Sequence, residues 1–191
     1  MKLIKQLFFV FAFLALAFSC KNENKKASTT STVENTENAS VEKTGQAFIQ
    51  DDEGTPNCLQ IAIGSPDHKT LVAAVQAAQV ENALVNVGPL TVFAPTDAAF
   101  NALPEGTVEN LVKPENKAVL ANILKYHVTP GNLNETILTK LKKLGQANNQ
   151  YVQVEVKDGK PIIGGANIIA SVKAGNGIVH VIDKVLLPPS E

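Results

Sequence analysis

Hydrophobic and polar positions divide this chain into three textures. Leu7 to Phe18 is an unbroken apolar run of twelve residues behind Lys2 and Lys5, closed by Ser19-Cys20. As a helix it would span about 18 Å, short of the ~30 Å hydrocarbon core of a bilayer. A basic start, a short apolar middle and a small residue at the exit are the pattern of a secretory signal. Lys21 to Gln50 is dominated by Lys, Asn, Glu, Ser and Thr, with few apolar residues before Ala47-Phe48-Ile49. Such a segment buries too little apolar area to offset its ordering entropy, and a disordered tether is predicted over residues 20–54. Its flexible chain would reach roughly 30 Å on average. From Thr55 the apolar positions become periodic, and an ordered domain is predicted over 55–191.

Within that domain the periods change from helical to extended. Ser65-Pro66 predicts a helix start, with Ser as cap and Pro in the first turn, followed by Leu71, Val72, Val75 and Ala78 at helical spacing. Leu90 to Ala94 reads as a strand stopped by Pro95, and Thr96 or Asp97 caps a short helix through Phe100 and Leu103. A helix after Pro114 puts Val119, Leu120, Ile123 and Leu124 on one face, and His127 continues that stripe. Asn134 can cap one more helix through Leu141. Then Val152, Val154 and Val156 alternate with polar neighbours, and Asp158-Gly159 predicts a hairpin turn into Pro161-Ile162-Ile163. Asn167 to Val172 and Ile178 to Ile182 make two more strands around Gly175-Asn176-Gly177. Helices first and strands last, without a βαβ rhythm, give an α+β fold class.

Composition narrows the functions. The 191 residues carry 17 basic side chains, every one a Lys, against 18 acids, for a net charge of −1. Without Arg and without a basic field, nucleic-acid binding is not expected. No Trp and two Tyr leave few stacking platforms, and two Cys exclude a disulfide-dense scaffold. His68, His127 and His180 lie more than fifty residues apart, with no HxH, HExxH or CxxC spacing, so no metal site is read. There is no GxSxG elbow, and Gly164-Gly165 lacks the Lys of a phosphate loop. No catalytic residue and no cofactor are therefore expected.

Two resemblances sharpen this. Residues 1–19 followed by Cys20 resemble the signal peptide of bacterial lipoproteins, which implies a lipidated Cys20 and a membrane-anchored protein of the cell envelope, periplasmic or on the outer surface. TVFAPTDAAF (Thr91–Phe100), YHVTPG (Tyr126–Gly131) and NGIVHVIDKVLLP (Asn176–Pro188) resemble, in order and spacing, the first block, the Tyr-His motif and the second block of a fasciclin domain. The resemblance implies a wedge of β-strands with several helices packed against it. It also implies an extracellular adhesion module without enzymatic activity, whose partner is a cell-surface or matrix component or a second copy. Binding of a small apolar ligand such as a lipid or pigment, and passive envelope scaffolding, are the alternatives. Many fasciclin domains carry Asp where this chain has Ser171, so any polar contact that acid completes must be lost or rebuilt here.

The same motifs supply the candidate recognition residues: Tyr126, His127, Asp97, Thr96, His180 and Asp183. Each has a structural reading beside the functional one. His127 on an apolar stripe needs partners for its ring nitrogens, and Asp97 or Thr96 is the expected partner. Tyr126 can offer its hydroxyl at the rim. Asp97 and Thr96 suit a helix cap, and His180 alternates with Ile178 and Ile182, which favours packing. Asp183 can bond a neighbouring turn or face a partner. Cys58, in an apolar stretch, reads as a small buried hydrophobe or as the site of an intermolecular disulfide.

Overall fold

The structure is a computed structural model and describes residues 54–85 and 88–189. Cys20, the leading apolar run and all but the last residue of the 20–54 segment lie outside the described residues. The chain opens with three helices, α1 (Cys58–Gly64), α2 (Lys69–Ala78) and α3 (Glu81–Val85). Strand β1 (Leu90–Pro95) leads into α4 (Asp97–Asn101), α5 (Thr107–Leu111) and, after a 3-10 turn at Pro114–Asn116, α6 (Lys117–Tyr126). Strand β2 (Val128–Pro130) and α7 (Glu135–Leu138) precede β3 (Lys143–Gly145), β4 (Tyr151–Lys157), β5 (Lys160–Ile163), β6 (Ala166–Ala174) and β7 (Gly177–Ile182).

One seven-stranded sheet runs in the order β2-β1-β7-β6-β5-β4-β3. The first and last strands of the chain lie side by side, because β1 pairs parallel with β7 from Leu90↔Gly177 to Pro95↔Ile182. The β4–β5 turn is the Asp-Gly hairpin expected, with φ of 52° at Asp158 and 76° at Gly159. The sheet curls until its two edges meet. The Ala147 amide donates to the Val128 carbonyl at 2.7 Å. Beside it, the end of the buried Gln146 side chain lies 3.0 and 3.1 Å from the Tyr126 and Val128 carbonyls, two acceptors that assign its amide nitrogen to that side.

Strand alternation sends neighbouring residues of β1 into different cores. Leu90, Val92 and Ala94 pack with Leu59, Leu71, Val75, Leu120 and Leu124 against the helical layer. Phe93 points the other way, inside the curl of the sheet, with Tyr126, Leu138, Leu144, Val152, Ile163, Ile182 and Leu186. Every β1 residue is buried. The α+β architecture thus rests on one strand shared by two cores.

The structure corrects several expectations. Ser65 does not open α2. It follows α1, a helix the periodicity missed, whose start is a capping box: the Asn57 side chain accepts from the Gln60 amide while Gln60 accepts from the Asn57 amide. Val119 is 52% exposed, because the buried face of α6 runs through Leu120, Ile123, Leu124 and Tyr126. The helix begun at Asn134 stops at Leu138 instead of Leu141, and the chain turns into β3.

Cys58 is 2% exposed, and burial pushes its thiol up to about 11 against the opposing pull of its own backbone amide. An intermolecular disulfide would need that thiol at the surface. At pH 8 the folded protein should therefore label at Cys58 roughly 100-fold more slowly than the unfolded chain. Mass spectrometry of the labelled peptide checks this, and equal rates would contradict the burial.

Candidate functional site

The Tyr-His motif sits where α6 ends and β2 begins, and both side chains point inward. Tyr126 is 5% exposed. Its hydroxyl, expected at the rim, donates instead to the Tyr151 carbonyl at 3.0 Å, tying α6 to β4, and burial raises its pKa. His127 is 3% exposed. Its Nδ1 lies 2.8 Å from the Ile123 carbonyl, which can only accept, so Nδ1 carries the proton. Nε2 is then free to accept from the Leu186 amide at 2.9 Å. Burial lowers its pKa to about 4, despite the Ile123 bond, so the ring is neutral at neutral pH. The expected pin is present but its partners differ: His127 holds the C-terminal segment, and neither Asp97 nor Thr96 touches it.

Those two residues of the first block act as caps. Thr96 accepts from the Ala99 amide and starts α4. The Asp97 carboxylate reaches across to the Thr70 amide at 2.8 Å and caps α2, whose own N-cap residue His68 makes no side-chain cap bond. Desolvation works to raise the Asp97 pKa. Hydrogen bonds from Thr70 and Lys69 and the nearby His68 outweigh it and hold the carboxyl below its ordinary value. Asp183 forms a closed pair with Asn167, accepting from its amide at 2.8 Å and its side-chain nitrogen at 2.6 Å.

His180 is fully buried and stacks on Phe93 with ring centroids 5.7 Å apart. Its Nε2 lies 2.8 Å from the Leu133 carbonyl and its Nδ1 2.8 Å from the Ser171 hydroxyl. Ser171 in turn donates to Glu135 at 2.5 Å. Burial pushes the His180 pKa down, while the Leu133 carbonyl and the Glu135 carboxylate pull it up. Ser171 is thus not left without polar contacts: its hydroxyl joins His180 on β7 to the Glu135 carboxylate from α7. Sequence reasoning missed Glu135, since 36 residues separate it from Ser171 and no motif links them.

These residues do not converge on one centre. His127 and His180 serve different segments, Asp97 serves α2, and Asp183 closes a turn. Among the described residues no group of three or more His, Cys, Asp or Glu is placed to hold a metal ion. The interior pocket beside His127 is lined by Cys58, Leu71, Val75, Phe93 and Leu124 and holds about 20 Å³, room for one water. A shallow surface cleft of about 360 Å³ lies between Thr70, Phe100, Leu103, Pro104 and Val108. No described helix is long and apolar enough to cross a membrane.

A fasciclin-domain profile matches residues 66–188, which span β1, the Tyr-His motif and β7 alike. The chain belongs to the fasciclin family. Protein sll1483 of Synechocystis is 43% identical over 155 residues, covering 79% of this chain and 86% of that protein. The cell surface glycolipoprotein MPB83 of Mycobacterium bovis is 34% identical over 107 residues, 56% of this chain and 47% of its own length. The FAS1 domain pair of the insect cell adhesion molecule Fasciclin I aligns with a TM-score of 0.49 at 24% identity, over 62% of this chain and 44% of that one. Of these relatives, MPB83 is by name a cell surface glycolipoprotein and Fasciclin I a cell adhesion molecule.

Proposed function

We propose that this protein is a lipid-anchored adhesion module of the bacterial cell envelope, acting through non-covalent contacts multiplied over many copies. The observation that carries the reading is the fasciclin match across nearly all of the described residues. The placement of the motif residues supports it from another side. Tyr126, His127, Asp97, Thr96, His180 and Asp183 already hold hydrogen bonds within the fold. In this reading they act as pins that keep the domain rigid, and the partner meets the outer surface. Anchoring at Cys20 follows from the leading segment and accords with the lipoprotein character named for MPB83. A modest affinity per domain becomes strong avidity when anchored copies engage together.

Beads coated with the protein test this. They should be retained on the cells that produce it or on matrix-coated surfaces, with retention rising more steeply than coating density. Release from every surface at every density would overturn the adhesion reading. Retention rising only in proportion to density would overturn the multivalent part of it.

A further inference from the structure

Strand β6 is longer than its neighbour can cover. It runs nine residues, yet β5 pairs with it only at Ile162↔Asn167 and Ile163↔Ala166. From Ile168 to Ala174 the ladder continues on the β7 side alone. Among the described residues, the other edge of that stretch has no strand partner. Backbone N–H and C=O groups along such an edge can pair with another strand; at its end the Gly175 amide donates to the Pro56 carbonyl at 2.9 Å. The side chains there are open too: residues 169–173 are all exposed, with Ile169 at 60% and Val172 at 40%.

We propose that this open edge pairs, antiparallel, with the same edge of a second copy. A two-fold axis at Ser171 sets Ser171 opposite its equivalent and Ala170 opposite Val172 of the other copy, an apolar pair on one face. Charge complementarity on the other face selects a second copy as the occupant. Lys173 shares the face of Ser171 by strand alternation and is exposed. Glu135 lies on that face, accepting from the Ser171 hydroxyl at 2.5 Å. Antiparallel pairing sets Lys173 of each copy diagonally from Ser171 of the other, about 7–8 Å away, within reach of Glu135. Two symmetric ion pairs result. The bulge between Ile168 and Ala170 limits the paired run to a few residues, so the dimer is weak and forms where copies are concentrated.

The proposal names a self partner for the adhesion reading but is tested without it. Sedimentation of the full chain from about 10 to about 500 µM should show a mass rising from one copy toward two. Lys173→Glu, at an exposed position, should weaken dimerisation at least tenfold. Glu135→Lys should do the same, with circular dichroism confirming its fold. Mixing the two variants should restore the dimer, because each supplies the charge the other lacks. A wild-type chain that stays monomeric overturns the proposal and leaves the edge to a strand of another protein, with adhesion to other partners standing. Dimerisation untouched by Lys173→Glu, or variants that fail to associate when mixed, overturns it as well.

Discussion

Gly177→Ala should leave the protein unable to fold, a loss of more than about 4 kcal/mol. A Cβ at this position would sit 1.9 Å from the Leu90 carbonyl oxygen and under 3 Å from the Leu90 carbonyl carbon and amide nitrogen. All three are backbone atoms of β1, so no side-chain rotation relieves the overlap. The strands themselves must separate where their parallel ladder begins, at Leu90↔Gly177. The damage would spread through Asn176, whose carbonyl accepts from the Leu90 amide at 2.9 Å. Its side chain accepts from the Cys58 amide at 2.8 Å and donates to the Leu84 carbonyl at 2.9 Å. One displaced residue thus loosens β1, α1 and α3 together. Denaturant titration of the variant checks this, and a stability within 1 kcal/mol of wild type would contradict the close approach.

His127→Ala should cost about 2–4 kcal/mol at pH 8, since it strands the buried Leu186 amide and Ile123 carbonyl and enlarges the pocket beside them. Its pH dependence separates this from ordinary loss of packing. In the folded protein His127 stays neutral down to about pH 4, because burial opposes its charge. In the unfolded chain it takes up a proton near its ordinary 6.5. The unfolded state therefore binds more protons between these values. The stability His127 contributes is complete above about pH 6.5 and is lost as pH falls toward 4, by up to about 3 kcal/mol. Denaturation midpoints at pH 8 and pH 5 should converge between wild type and His127→Ala. A gap that stays constant would show that the imidazole is not held neutral.

The sequence makes the first strand, the hairpin turn and the last strand plain, because each follows from a local rule. Leu90–Ala94 is an apolar run ended by Pro95, Asp158-Gly159 is a turn by its own chemistry, and Ile178–Ile182 alternates. The short strands β2 and β3 carry no such signal. Three residues each, they exist because the sheet curls far enough for Val128 to meet Ala147 and Gln146. The start of α1 was legible in principle, since Asn57 and Gln60 have capping-box spacing, but Ser65-Pro66 offered a competing start.

The site residues divide along the same line. That His127 is a buried pin follows from its helical stripe. Its partners could not be read, because Leu186 lies 59 residues away and contributes a backbone amide, which no side-chain pattern records. Asp97 was placed at a helix cap, yet the helix it caps is α2, 27 residues earlier. Ser171 marked a departure from the family pattern, while its partner Glu135 became visible only when α7 was set against β6. Local chemistry is written in the sequence; contacts between distant elements depend on how the sheet closes.

The most direct test of the central claim compares retention of beads coated with wild-type protein and with Tyr126→Phe, on the producing cells and on matrix. Phenylalanine keeps the buried ring and removes only the hydroxyl that donates to the Tyr151 carbonyl. If the motif acts as an internal pin and the outer surface makes the contact, wild-type beads are held on at least one surface and Tyr126→Phe beads are held equally well. Retention lost by a folded Tyr126→Phe protein, or no retention of either on any surface, would contradict it.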